Sequence, residues 1–131
     1  MNREKKELGC IDCRHNYYGV GFVKSRKSES KVMSMSKELL DSAIENGVKL
    51  CEIIVDDGGS TDIDRTVIDE LLSWLEKYEI SALFVRSIFD ITRDMDDLIC
   101  FMNRAKHMDI AIYSLEFGTM VIYEPNTDEG C

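Results

Sequence analysis

Hydrophobic and polar residues follow two different spacings along the chain, and the two spacings alternate. Short runs rich in β-branched and aromatic residues predict strands, whereas an apolar residue at every third or fourth position predicts a helix. Strands are predicted at 17–23, 50–55, 80–85 and 109–115, with a short fifth strand at 119–123. The run at 80–85 is almost wholly apolar, which is typical of a strand buried on both faces of a parallel sheet.

Three amphipathic stretches between these strands predict helices. We expect the first helix to begin after an N-cap at Ser34 and to end before Gly47, a favourable residue just past a helix. The second is predicted at 67–78, with Asp64 as its cap, and the third around 95–105.

The alternation of strand and helix predicts the fold class. Each connection is long enough for a right-handed crossover between parallel strands. We therefore expect an α/β fold: a doubly wound, mostly parallel sheet of four to five strands with helices on both faces. The domain is predicted at 17–123, between a polar N-terminal tail at 1–16 and a C-terminal tail at 124–131.

Length, hydropathy and charge narrow the class of protein. The chain has 131 residues, of which 44% are hydrophobic, and this suits one globular domain. No apolar run approaches the roughly 20 residues that span a bilayer, and no secretory signal is recognisable, so we expect a cytoplasmic protein without membrane contact. A formal net charge of −9 argues against steering of the whole molecule toward nucleic acid, although bases cluster at 3–6 and 24–31.

The cysteines offer little evidence of a metal site. Cys10 and Cys13 form a C-x-x-C pair near His15, which is half of a zinc site at most. Cys51 and Cys100 fall in apolar patterns and are predicted to be core residues. Glycine-rich nucleotide-binding motifs are missing from the sequence, and we predict neither a metal nor a cofactor.

The candidate chemistry lies in the loops that follow the predicted strands, where open α/β sheets hold their sites. These loops carry Lys24, Ser25, Arg26 and Ser28, then Asp56, Asp57, Ser60 and Arg65, and then Arg86, Asp90 and Arg93. A serine beside several arginines suits phosphoryl transfer, because the hydroxyl attacks phosphorus and the guanidinium groups stabilise the developing charge. The alternative is that these are solvated loop charges, with Arg65 and Arg93 paired to nearby acids.

The order of motifs resembles the catalytic domain of the serine recombinases, the resolvase/invertase family. The segment D-D-G-G-S-T-D-I-D-R at 56–65 is similar to that family's D-D-G-x-S-G-x-x-x-D-R, with one residue fewer. It continues as R-T-V-I-D-E-L-L at 65–72, which resembles R-x-x-L-x-x-L-L. Further on, L-F-V-R-S-I-F-D-I-T-R-D at 83–94 resembles a strand followed by L-D-R-L-x-R-D. The first strand resembles the family's Y-x-R-x-S strand, and the likeness extends over about 17–118.

The resemblance implies site-specific DNA strand exchange through a phosphoserine link, as in DNA integration by mobile elements. DNA is the implied partner, together with a homo-oligomer or a full-length recombinase. Arg65 and Arg93 match arginines that hold the DNA phosphate, and Asp57, or its neighbour Asp56, matches the acid of the loop.

The first strand and the third loop depart from the family pattern. A direct alignment places Lys24 on the family's first arginine and Arg26 on the nucleophile, whereas a slip of two residues restores R-x-S with Ser28 as nucleophile. Ser25 is the second choice. Asp90 stands at or beside the position of a further arginine.

Three hypotheses about activity follow from these departures. We expect a truncated recombinase domain that is catalytically impaired. One alternative is an active small recombinase that uses Ser28 beside a separate DNA-binding chain. The other is a non-enzymatic interaction module that pairs with a full-length recombinase.

Overall fold

The computed structural model describes residues 17–116 and 119–123. The two tails predicted at 1–16 and 124–131 lie outside the described residues, and so do Cys10, Cys13 and His15.

Five strands and three helices alternate along the described chain. They are β1 (Tyr17–Lys24), α1 (Glu29–Glu45), β2 (Val48–Asp56), α2 (Thr66–Lys77), β3 (Ala82–Val85), a 3-10 turn (Ile88–Asp90), α3 (Met95–His107), β4 (Ala111–Glu116) and β5 (Thr119–Tyr123). The sheet order is β2-β1-β3-β4-β5. The first four strands pair in parallel and β5 is antiparallel to β4, which confirms the predicted fold class.

Helices cover both faces of the sheet. On one face, Leu39 and Ala43 of α1 pack with Phe84 of β3. On the other face, α2 and α3 pack over Val20 and Phe22 of β1. All four residues of β3 are buried, as the apolar run predicted. The order of the strands reverses at β1, so the loops after β1, β2 and β3 meet at one edge of the sheet.

Two glycines let the neighbours of β1 approach closely. A Cβ atom on Gly19 would lie 2.8 Å from Val48 Cγ1 and 3.0 Å from the carbonyl oxygen of Ala82. A Cβ atom on Gly21 would lie 3.4 Å from Leu39 of α1. Glycine at these positions therefore sets the spacing of the central strand against its neighbours.

Two of the predicted helix starts are wrong. α1 begins at Glu29, and its N-cap is Ser28, whose hydroxyl accepts a hydrogen bond from the Lys31 amide at 3.4 Å. This serine has extended backbone geometry and is followed by an acid in the first turn, so it caps earlier than Ser34. α2 is capped by Arg65 without a side-chain hydrogen bond, not by Asp64.

Gly47 follows α1 with a φ of 74°, which confirms its predicted place just past the helix. The two cysteines predicted to be core residues are not buried. Cys51 is half-exposed on the edge strand β2, at a register shift that leaves it opposite no residue of β1. Cys100 lies exposed on α3. Among the described residues, no helix is both long enough and apolar enough to cross a membrane.

Candidate active site at the carboxyl edge of the sheet

The buried carboxylate of Asp56 lies at the centre of the loops that follow the parallel strands. Its Oδ2 atom accepts hydrogen bonds from Arg65 Nε at 2.8 Å and Lys24 Nζ at 3.3 Å. Its Oδ1 atom accepts one from the Gly58 amide at 3.0 Å. Burial raises the pKa of this carboxyl, but the hydrogen bonds from Gly58, Arg65 and Lys24 outweigh burial and bring the pKa below its usual value. Asp56 therefore carries its charge at neutral pH.

Lys24 joins the end of β1 to the loop after β2. In addition to Asp56, its ammonium group donates to the carbonyl oxygens of Gly58 at 2.9 Å and Ser60 at 2.8 Å. An ammonium has three donors, and all three are used here. Lys24 thus fixes the shape of the loop that follows β2.

Arg65 has a similar role on the other side of Asp56. Its Nη1 donates to the carbonyl oxygens of Asp62 at 2.7 Å and Ile91 at 2.6 Å, and its Nη2 donates to that of Asp90 at 2.6 Å. With the bond from Nε to Asp56, four of its five N–H donors are used. Arg65 therefore ties the start of α2 to the loop that follows β3.

A basic pocket of about 610 Å³ lies beside these contacts. Its lining consists of Lys24, Ser25, Arg26, Lys27, Met35, Gly58, Gly59, Arg86 and Asp90. Four cationic side chains face one acidic side chain, so this pocket favours an anion of phosphate size, although the molecule as a whole is acidic.

Arg26 and Arg86 reach the basic pocket from the loops that follow two different strands. A Cβ atom on Gly59 would lie 3.1 Å from Arg26 Nη1, so the guanidinium rests on the glycine loop. Arg86 uses its Nε to bond Glu38 of α1 at 2.9 Å, and this pair is half-exposed. Besides its Nε, the guanidinium group of Arg86 has four N–H donors that can bind an anion.

The two candidate nucleophiles have different surroundings. Ser25 is buried and lines the basic pocket, where its hydroxyl accepts a hydrogen bond from the Lys27 amide at 3.1 Å. Ser28 is exposed, caps α1, and lies 3.3 Å from the hydroxyl of Ser30. Ser25 thus shares a cavity with the cations, whereas the lining of that cavity does not include Ser28.

The remaining candidates lie at the periphery. Asp57 is exposed, and the neighbouring Asp56 is the acid that bonds the cations. Arg93 is exposed just before α3 and does not line the basic pocket. Arg86 directly follows β3, and the sequence predicts it in the loops at this edge without giving it a catalytic role.

Acidic side chains of the loop after β2 and of the start of α3 form a cluster around Asp97. Partial burial raises the pKa of Asp97, and so does the negative charge of Asp94, Asp64, Asp96 and Asp62. This acidic cluster opposes the approach of a polyanion. Among the described residues, no group of His, Cys, Asp or Glu side chains is arranged to hold a metal ion.

Solved structures with a similar fold are catalytic domains of recombinases. The N-terminal catalytic domain of TP901-1 integrase superposes with a TM-score of 0.66 and 16% sequence identity, over 79% of this chain and 80% of that chain. The C-terminal catalytic domain of ISC1926 TnpA, an IS607-like serine recombinase, gives a TM-score of 0.64 and 16% identity, over 76% of this chain and 70% of that one. At this level of identity the likeness shows the fold.

Sequence comparison establishes the family. No curated protein is significantly similar to this sequence. The family model described as "Resolvase, N terminal domain", however, matches residues 25–130, which is most of the chain. By that match, the chain belongs to the resolvase N-terminal domain family, the catalytic domain of serine recombinases.

Proposed function

We propose that this recombinase-type domain binds a backbone phosphate of DNA in the basic pocket but is impaired in cutting the strand. The observation that carries the proposal is that the ammonium group of Lys24 is held by hydrogen bonds within the protein. In the direct alignment this lysine takes the place of the family's first arginine, and its three donors are used by Asp56, Gly58 and Ser60.

The basic pocket supports phosphate binding. Arg26, Lys27 and Arg86 line it together with the lysine at the end of β1. Binding to DNA gains free energy from the counterions that such cations release, and it weakens as salt rises. Because the net charge is −9, we expect measurable affinity only at low salt.

The residues that line the same pocket also support the proposal that catalysis is impaired. Asp90 lines it at or beside the position where the family carries an arginine, and this carboxylate repels a phosphate. Lysine in place of arginine also lacks the planar fork that binds two phosphate oxygens at once. Each lost contact to the transition state costs about 3 kcal/mol, or roughly a hundred-fold in rate.

The position of the nucleophile is a further obstacle to cleavage. In strand cleavage, the serine Oγ forms a bond to phosphorus while the bond from phosphorus to a deoxyribose oxygen breaks. Ser28, the residue that the R-x-S motif favours, is held as the N-cap of α1. To reach a phosphate in the basic pocket it would have to leave the cap, which costs about 1 kcal/mol of helix stability. Ser25 already lines the pocket and is the second candidate.

Two measurements test the proposal. Fluorescence anisotropy with labelled duplex DNA at low salt should show binding that weakens in Arg86→Ala and is unchanged in Lys77→Ala, whose side chain lies exposed at the end of α2. Denaturing gels after incubation with supercoiled DNA carrying candidate recombination sites should show no covalent protein–DNA species. A covalent species that disappears in Ser28→Ala or Ser25→Ala would refute the impairment.

A second candidate function is an interaction module for a full-length recombinase. It is favoured by three large apolar side chains exposed on α1, namely Met33, Leu40 and Ile44. Co-sedimentation with a full-length serine recombinase would test it. An association that Ile44→Asp abolishes would support this function, and no association would exclude it for that recombinase.

A further inference from the structure

A second pocket lies at the amino edge of the sheet, at the opposite end of the strands from the basic pocket. This amino-edge pocket has a volume of about 420 Å³, and its lining includes Tyr17, Asn46, Ser81, Asp109 and Tyr113. Because β1 to β4 are parallel, the residues at or just before their first positions meet at this edge. The volume falls within the roughly 300–1,000 Å³ of small-molecule sites. The pocket is therefore large enough for a small ligand, and it shares no lining residue with the basic pocket.

The amino-edge pocket is electronegative. α1 ends just before Asn46 and α3 ends two residues before Asp109, so the negative ends of two helix dipoles lie at this edge. Asp109 adds a full negative charge. The basic side chains in the last turn of α3, Arg104, Lys106 and His107, lie outside the lining, and no described residue of the lining is cationic. The pocket therefore attracts a cation and repels an anion.

Asp109 is held at this edge in an unfavourable backbone conformation. Its φ is 59°, and among the described residues it is the only residue other than glycine with a positive φ. Gly47 takes the equivalent place after α1, with a φ of 74°, as is usual just past a helix. A carboxylate is also unfavourable at the negative end of a helix. Within the described part of the chain no hydrogen bond or ion pair engages this carboxylate, so it is available to a ligand.

The other polar groups of the amino-edge pocket can also accept hydrogen bonds. Asn46 donates from Nδ2 to the carbonyl oxygen of Ser42 at 2.7 Å, which leaves its Oδ1 as an acceptor. The hydroxyl of Ser81 donates to the carbonyl oxygen of Tyr18 at 3.4 Å, so its lone pairs can accept. Together with the carboxylate of Asp109, these acceptors suit a cation that carries several N–H donors.

Two tyrosines give the amino-edge pocket aromatic walls. Tyr17, at the start of β1, is 56% exposed. Tyr113 of β4 stacks on the buried Phe84, with ring centroids 4.4 Å apart, and this contact holds its ring in place. An aromatic ring attracts a cation through its face and packs against an alkyl stem. A metal ion would instead need several oxygen ligands, whereas the described lining offers a single carboxylate.

We propose that the amino-edge pocket binds a small organic ammonium ion. Its N–H groups donate to the carboxylate of Asp109 and to Oδ1 of Asn46, and its alkyl stem packs against Tyr17 and Tyr113. A free amine and a lysine side chain of a peptide share this chemistry. Because the ligand carries one charge and few apolar atoms, we expect a dissociation constant on the order of 1 mM. The proposal goes beyond DNA binding and does not depend on it.

Titration of the full, isotope-labelled chain with n-butylammonium chloride, followed by NMR, tests the proposal. We expect saturable shifts of the amide signals of Ser81 and Ala111, which line the pocket. The neutral analogue n-butanol should bind about ten-fold more weakly, because it lacks the charge. Sodium chloride at the same concentration should not cause these shifts. Equal binding of the two analogues, or no saturable shift up to about 100 mM ligand, would overturn the proposal.

A third ligand, N-acetyl-lysine methylamide, separates the two sources of the ammonium group. Binding as tight as that of n-butylammonium would assign the pocket to a lysine side chain of a peptide. Weaker binding would assign it to a free amine. Both results support recognition of an ammonium ion, and they differ only in what carries it.

A charge-neutral variant tests the role of Asp109. Asp109→Asn removes the charge but keeps a residue that tolerates a positive φ. It should raise the dissociation constant for n-butylammonium about ten-fold. The matched control is Asp96→Asn, which removes an exposed charge in the first turn of α3 and should leave the affinity unchanged. Thermal unfolding should show that both variants are folded. An unchanged affinity in Asp109→Asn, or an equal loss in the two variants, would contradict the proposal.

Discussion

Arg65 donates from Nε to Asp56 Oδ2 at 2.8 Å, and both side chains are about nine-tenths buried. An arginine among other cations at the carboxyl edge of the sheet is easily interpreted as a residue that binds the substrate. Here its other bonds go to backbone carbonyls of two loops, so it forms part of the framework that holds the site. Whether it also contacts DNA remains a prediction.

Removal of the Asp56 charge should destabilise the fold. Asp56→Asn leaves Lys24 and Arg65 without their shared anion, and breaking a buried pair in this way costs about 3 kcal/mol. Urea unfolding monitored by the fluorescence of Trp74, the single tryptophan, measures the change. The control is Asp57→Asn, an exposed site that should change the free energy of unfolding by less than about 0.5 kcal/mol. Equal effects of the two variants would contradict the central place of Asp56.

Acid should weaken the protein through the same group. The pKa of Asp56 is lower in the folded protein than its ordinary value of 3.8, so the unfolded chain binds the proton more readily. The stabilisation is therefore complete above pH 3.8 and is lost as the pH falls through the folded pKa. Urea unfolding over a series of acidic pH values should show a steeper loss of stability in the wild type than in Asp56→Asn. Parallel curves would mean that Asp56 titrates alike in both states.

The position of the first helix cap gives a further test. Ser28→Ala should lower the free energy of unfolding by about 1 kcal/mol, because the Lys31 amide loses its acceptor. Ser34→Ala, in the exposed middle of α1, should be neutral or slightly stabilising. Thermal unfolding followed by circular dichroism compares the two. The reverse order of effects would restore Ser34 as the cap.

The fold could be predicted from the sequence because local patterns agree with one another. The apolar run of β3 and the apolar residues at every third or fourth position of the helices each predict one type of element, and the long connections favour parallel pairing. The predicted start of α1 is wrong because four serines, at 28, 30, 34 and 36, compete as caps, and sequence alone does not rank them.

The site could be predicted only in outline. The ends of the strands predict that the cations lie at one edge of the sheet. Whether a cation binds substrate or holds the loops in place depends on contacts between residues that are far apart in the sequence. Arg65 meets the carbonyl oxygen of Ile91, which is 26 residues away, and no spacing rule predicts this. The same holds for Lys24, whose loop partners lie more than 30 residues away.

The exposed cations should determine how DNA binding depends on salt. Arg86→Ala or Lys27→Ala should weaken binding for all sequences and reduce the slope of log affinity against log salt by about 1. Arg65→Ala should instead lower the free energy of unfolding, because its donors are used within the protein. Anisotropy titrations at several salt concentrations, together with urea unfolding, separate the two classes. A reduced slope in Arg65→Ala at unchanged stability would make it a direct phosphate ligand.

Glycines in the sheet and in the loop should respond differently to an added methyl group. In Gly19→Ala the new Cβ would meet the backbone oxygen of Ala82 at 3.0 Å, and the sheet cannot easily move away, so we expect a loss of about 1–3 kcal/mol. In Gly59→Ala the new Cβ would meet only the flexible end of Arg26, which can swing aside at little cost to stability. Because Arg26 lines the basic pocket, Gly59→Ala should weaken DNA binding while the unfolding curve stays in place. A Gly59→Ala variant that unfolds as easily as Gly19→Ala would show that the loop is as tightly packed as the sheet.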